Sequence, residues 1–217
     1  MQQLECAAIL FDLDGVLIDS TAVITRHWQE WAQEHNLDLA AIMQVSHGRP
    51  TLETMRQVAP HLPVEEEARR FAAAEVLDTE GILTIDGASA LLSSLPADAW
   101  AIVTSCSRDL AAARLTSRGL PVPAVLVTAD DVVNGKPHPE PYLAGARRLG
   151  LSPAQCVVVE DAPAGLAAAA AAGMRTVAVA ATHPREELEM ATTIADQLRD
   201  IEVTAGTGDM LTIIVHA

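Results

Sequence analysis

The chain has 217 residues, 50% apolar but only 3% aromatic, so Ala, Val and Leu must fill one sizeable core, with room for a smaller inserted domain. Fourteen basic residues (Lys and Arg) against 29 acidic ones leave a formal charge of −15, which argues against nucleic acid or an anionic membrane surface as a partner, because both need basic patches. Cys6, Cys106 and Cys156 form no CxxC pair or zinc spacing, and neither a secretory signal nor a membrane-length apolar run is legible, so a cytoplasmic protein with reduced thiols is expected.

In chain order, strand-length apolar runs fall at Ala7 to Phe11, Ala99 to Thr104, Ala124 to Val127, Cys156 to Glu160 and Thr176 to Ala180. Near-continuous apolarity predicts strands covered on both faces. Helical patterns over Arg108 to Arg118, Pro139 to Leu149 and Ala164 to Ala172 alternate with them and end near Gly119, Gly150 and Gly173. That alternation predicts an α/β fold, a doubly wound parallel sheet with right-handed crossovers. From Ser20 to about Ile82 the pattern is helical only, which predicts an inserted helical cap over 20–83 above a catalytic core of 1–19 and 84–217. Ala205 to Val215 reads as a terminal strand of undetermined placement.

Four motifs carry chemistry. In Phe11-Asp12-Leu13-Asp14-Gly15 the alternation of a strand puts both aspartates on one side and Leu13 in the core, while Gly15 permits a sharp turn. Paired carboxylates suit acid–base work, and an Asp can itself act as a nucleophile. A calcium loop is the bland alternative, but Leu17 and Ile18 stand where further oxygen ligands are needed. Glu160-Asp161 ends an apolar strand and offers hard oxygens suited to Mg²⁺, although Asp161 also fits an N-cap. Thr104-Ser105-Cys106-Ser107 places hydroxyls at a strand–helix junction, where phosphate oxygens can be held. Lys136, in Asn134-Gly135-Lys136-Pro137-His138-Pro139, is the only lysine, a point charge suited to phosphate or clustered carboxylates. With four acids against that lysine, an anionic substrate requires a further cation, since each uncompensated like-charge pair at about 4 Å costs on the order of several kcal/mol.

These motifs, in this order, resemble the haloacid dehalogenase-like superfamily of phosphatases over about residues 7 to 183, and the insert resembles its C1 cap. His47-Gly48-Arg49, Asn134 to Tyr142 and Val159 to Gly165 are similar to the glycerol-3-phosphatase, 2-deoxyglucose-6-phosphatase and bacterial sugar-phosphatase group. The resemblance implies that Asp12 attacks phosphorus and becomes a phosphoaspartate. Asp14 then protonates the leaving alcohol and later deprotonates the hydrolytic water. Ser105, or Thr104 as its fallback, would bind the phosphoryl group with Cys106 beside it, and Lys136 would pair with Asp12 and phosphate oxygens. Asp161 would hold Mg²⁺ with Asp12 and the Asp14 carbonyl, with Glu160 orienting that metal site.

Ser46 to Thr51 reads as a cap loop in which His47, Gly48 and Arg49 meet the substrate, a small sugar or polyol phosphate, with a monomer as the default. Trp28 and Trp31 are expected in the cap core, and Cys106 beside Ser105 raises the question of oxidation sensitivity. Asp14 and Asp161 argue against a dehalogenase, and a cap without lysine argues against a phosphonate hydrolase. A β-phosphoglucomutase-like mutase shares the core motifs, but its cap histidine falls on Ile24, its cap lysine is missing, and His27 lies one helical turn away. A catalytically silent regulator would need a damaged motif, and none is visible.

Overall fold

Strand β2 (Ala8–Phe11) is wholly buried, and its side chains divide between two cores. Ile9 and Phe11 join one cluster and Leu10 the other, as alternation along a strand covered on both faces requires. Each such side chain contributes roughly 1.5–3 kcal/mol by burial. The computed structural model describes residues 1–46, 49–208 and 210–216, so His47 and Gly48 of the expected substrate loop lie outside the described residues.

In chain order, β1 (Gln2–Cys6) and β2 are followed by the short β3 (Ile18–Asp19) and then by four helices, α1 (Thr21–His35), α2 (Leu39–Ser46), α3 (Thr51–Val58) and α4 (Val64–Leu77). The chain returns through β4 (Leu83–Thr84), which pairs antiparallel with β3. It continues through α5 (Ala88–Ser94), β5 (Trp100–Val103), α6 (Arg108–Ser117), β6 (Leu126–Val127), α7 (Glu140–Arg148), β7 (Cys156–Glu160), α8 (Pro163–Ala171), β8 (Arg175–Val179), β9 (Thr193–Ala195), β10 (Ile201–Ala205) and β11 (Leu211–Val215).

The main sheet has the order β6-β5-β2-β7-β8-β9, parallel throughout. The five apolar runs form its strands to within about two residues. The sixth, β9, follows a short 3₁₀ turn rather than an apolar run, and so escaped the pattern. Residues of α5 and α6 pack on the Ile9 and Phe11 side, and residues of α7 and α8 on the Leu10 side. Because β2 lies between β5 and β7, connections diverge to opposite faces around it, and the carboxyl ends of these strands frame a crevice.

The expected terminal strand is present as β11, Leu211–Val215, with a later start than Ala205 and a placement the sequence leaves open. Ala205 closes β10, and β11 is the centre of a separate three-stranded antiparallel sheet, β1-β11-β10. Leu211, Ile213 and Val215 point from it into the larger core. The helical insert packs on its own apolar cluster of Trp28, Trp31, Ile42, Met55 and Phe71, in which Trp28 lies 4.5 Å from Phe71 between ring centroids. Both tryptophans are therefore core residues, as expected. No helix among the described residues is long and apolar enough to cross a membrane.

Candidate active site

β2 ends at Phe11, so Asp12 and Asp14 sit in the turn beyond the strand rather than along it. The turn reaches the predicted result by another route: both carboxylates line one cavity of about 510 Å³, and Leu13 is buried in the core. Gly15 makes this possible. Its φ is +83°, and a Cβ there would lie 2.0 Å from Asp161 Oδ2, so only glycine lets the turn approach the end of β7.

Beneath the cavity, Lys136 Nζ stands 2.9 Å from Asp12 Oδ1 and 2.7 Å from Glu160 Oε1, and 5.0 Å from the Tyr142 ring centre. Only 2% of Lys136 is exposed, and it is not among the residues lining the cavity. It thus acts on Asp12 from behind. Glu160 is fully occupied by donors. Oε1 accepts from Lys136 and from the Tyr142 hydroxyl at 3.0 Å, and Oε2 accepts from the Asp161 and Ala162 amides at 2.9 and 3.0 Å. Burial alone would raise its pKa, but Lys136 and these hydrogen bonds outweigh burial and hold the carboxyl below its usual range.

Asp12 and Asp161 show the opposite balance. Burial pushes Asp12 upward, Lys136 pulls it back, and Glu160 pushes it up again. Burial, then Glu160 and Asp12, raise Asp161 well above the ordinary aspartate value. The Asp12 Oδ1 atom, although within ion-pair distance of Lys136, receives no aligned hydrogen bond. Ligand atoms of Asp12, Glu160 and Asp161 lie within 4.8 Å of one another. Three clustered buried carboxylates against one lysine fit a hard divalent cation such as Mg²⁺. The Thr182 hydroxyl donates to Asp161 Oδ2 and fixes its orientation.

Asp14 is anchored differently. Ser20 Oγ donates to its Oδ1 at 2.6 Å, while Arg114 Nη1 at 2.7 Å and the Cys106 thiol at 3.1 Å approach Oδ2. Burial, then the Asp14 charge, push the Cys106 pKa well above its normal value, so little thiolate is present at neutral pH. Thr104, Ser105 and Cys106 all line the cavity beyond β5, and Thr104 Oγ1 accepts from the Cys106 amide at 3.2 Å. Arg49 reaches the cavity from the insert, and its Nη1 donates to Gln57 at 2.7 Å. Ile24 also lines the cavity, whereas His27 is buried against Asp78 at 3.0 Å and Phe71. His27 is thus turned into the insert and is not among the residues lining the cavity.

Sequence reasoning missed Arg114, Glu75, Tyr142, Ser20 and Thr182. Arg114 and Glu75 are charged residues amid the small and apolar faces of α6 and α4, and that contrast was the available signal.

A sequence profile of haloacid dehalogenase-like hydrolases matches residues 9–179. The chain belongs to this family. Hexitol phosphatase A of Escherichia coli K12 is 41% identical over 206 residues, covering 93% of this chain and 95% of that protein. Glycerol-1-phosphate phosphohydrolase 2 of Saccharomyces cerevisiae is 38% identical, covering 86% and 79%. Among solved structures, β-phosphoglucomutase of Clostridium difficile superposes with a TM-score of 0.77 over 91% of this chain and 93% of its own, at 23% identity, a likeness of fold alone. In this member of the family, the acid cluster lies at the carboxyl ends of β2 and β7, in a cavity that residues of the helical insert also line.

Proposed function

We propose that this hydrolase is a Mg²⁺-dependent phosphatase of small sugar or polyol monophosphates, a cytoplasmic monomer working through a phosphoaspartate on Asp12. The observation that carries the reading is the buried Asp12–Lys136–Glu160–Asp161 cluster at the base of a cavity that Asp14 and the Thr104–Ser105 hydroxyls share. The carboxylates of Asp12 and Asp161, with the Asp14 carbonyl, would hold Mg²⁺, which would supply charge neutralisation for the phosphoryl group.

Asp12 attacks phosphorus through a carboxylate oxygen as the bond to the substrate oxygen breaks, and Asp14 delivers a proton to the departing alkoxide. Water then attacks the phosphoaspartate, Asp14 takes its proton, and inorganic phosphate leaves Asp12 free. Lys136 holds the Asp12 carboxylate in line and balances its charge, while Glu160 fixes Lys136 and the chain at Asp161. Ser105 or Thr104 donates to a phosphoryl oxygen. The insert, as cap, sets substrate choice, with Arg49 one of its contacts.

The mutase alternative receives no support from the insert, where Ile24 faces the cavity and His27 is engaged with Asp78. Phosphate release from a panel of sugar and polyol monophosphates, with Mg²⁺ and with chelator, tests the proposal. Metal-dependent release from polyol phosphates supports it. Conversion of β-glucose-1-phosphate to glucose-6-phosphate without phosphate release would establish a mutase instead.

A further inference from the structure

Beyond the acid cluster, a second group of charges crosses from the core to the insert. Arg114 of α6 is 2% exposed, and it donates from Nη1 to Asp14 Oδ2 at 2.7 Å and from Nη2 to Glu75 Oε1 at 3.1 Å. Glu75, on α4, therefore lies one guanidinium's width from the carboxylate that serves the leaving oxygen in the reading above. Among the described residues, the hydrogen bond that reaches its carboxylate is this one, to Oε1.

Glu65, Ala68, Ala72 and Glu75 all line the cavity, at spacings of three and four that place them on one face of α4. The two alanines leave room beside the leaving group, and Glu75 ends the row nearest Asp14. Among the described residues, two other arginines line the cavity and each donates to an uncharged group. Arg69 is six residues back along α4, roughly 9 Å along the axis, and donates to the Glu65 carbonyl, while Arg49 donates to Gln57. Arg114 is itself matched by two carboxylates and offers no surplus positive charge at this place.

From this geometry we infer that Glu75 is a specificity-determining residue that accepts a hydrogen bond from the hydroxyl on the carbon next to the phosphorylated one, and excludes substrates with an anionic group there. The inference rests on the phosphatase reading and deepens it. The preferred substrate class becomes phosphate esters of primary alcohols with a neighbouring hydroxyl, as in polyols. A carboxylate at that carbon would face Glu75 across a desolvated pocket, where the adjacent Arg114 is already shared between Asp14 and Glu75.

The test compares kcat/KM for glycerol-1-phosphate, 1-propyl phosphate and 2-phosphoglycolate in the wild type, Glu75→Gln and Glu75→Ala. The wild type is expected to prefer glycerol-1-phosphate by about tenfold or more over each of the others, because a site built for a hydroxyl rejects analogues lacking it. In Glu75→Ala the preference over propyl phosphate should fall to within about threefold, and both variants should narrow the preference over phosphoglycolate by about tenfold. These ratios do not depend on the fraction of folded enzyme, and the wild-type comparison needs no variant. Wild-type ratios near one, or ratios unchanged in both variants, would overturn the inference while leaving the phosphatase reading intact. Failure of the wild type to release phosphate with Mg²⁺ from these three and from the whole panel of sugar and polyol monophosphates would overturn both.

Discussion

A Cβ placed at Gly165 would lie 1.6 Å from Oε1 of Glu160, the oxygen that also accepts from Lys136 and Tyr142. The start of α8 is therefore packed directly against the carboxylate that fixes the only lysine. In Gly165→Ala that carboxylate must move, since the added methyl occupies its place. We expect a loss of about 1–3 kcal/mol in stability and at least a tenfold drop in kcat/KM, about 1.4 kcal/mol of transition-state stabilisation. Denaturant melts and steady-state kinetics check both, and an unchanged kcat/KM would separate Glu160 from the chemistry.

Arg114 compensates two carboxylates from different parts of the chain, Asp14 of the core turn and Glu75 of α4. Its removal leaves both in a largely desolvated pocket. Arg114→Ala should cost on the order of 3–5 kcal/mol in unfolding free energy, seen as a lower urea midpoint with a similar m-value. A loss below about 1 kcal/mol would mean that water or a movement of α4 compensates the charges.

Burial first, and then the Asp14 charge, raise the Cys106 pKa well above its normal value, which predicts a thiol resistant to oxidation. Iodoacetamide at neutral pH should leave activity intact over a time in which a free thiol of ordinary pKa is alkylated. Rapid inactivation with modification at Cys106 would contradict this account.

Thr128 is the N-cap of the 3₁₀ turn Ala129–Asp131, and Asp131 closes its capping box by accepting from the Thr128 amide and hydroxyl at 2.9 Å each; it also pairs with Arg108 and Arg148. Its pKa in the folded state is held well below the ordinary value, chiefly by the Arg148 hydrogen bond. A depressed carboxylate pKa contributes stability above the unfolded value of about 3.9, and that contribution is lost as pH falls toward the folded value. Asp131→Asn should cost about 0.5–2 kcal/mol at pH 7, with the gap to wild type closing below about pH 4. A gap that is constant with pH would assign the effect to shape rather than charge.

Five strands of the parallel sheet and the acid-bearing strand ends were legible because buried parallel strands write continuous apolar runs, as Cys156–Glu160 does without error in its bounds. Short or half-exposed strands leave no such trace. β10 has a largely exposed pattern and β9 only three residues, so neither could be read. In the site, Asp12, Asp14, Glu160, Asp161 and Lys136 were found because they cluster along the sequence or stand alone in composition. The Arg114–Glu75 pair was not, since partners 39 residues apart on two helices meet only when the insert packs on the core. The burial of Lys136 behind Asp12, rather than open to the cavity, was likewise a matter of packing.

The most direct measurement is acid quench of the enzyme during turnover of a polyol phosphate with Mg²⁺, followed by peptide mass spectrometry. The account predicts one phosphoryl group on the peptide containing Asp12, absent with chelator and absent in Asp12→Asn, which should also have lost turnover while keeping a wild-type unfolding midpoint. Normal phosphate release by Asp12→Asn, with no labelled peptide in the wild type, would contradict it.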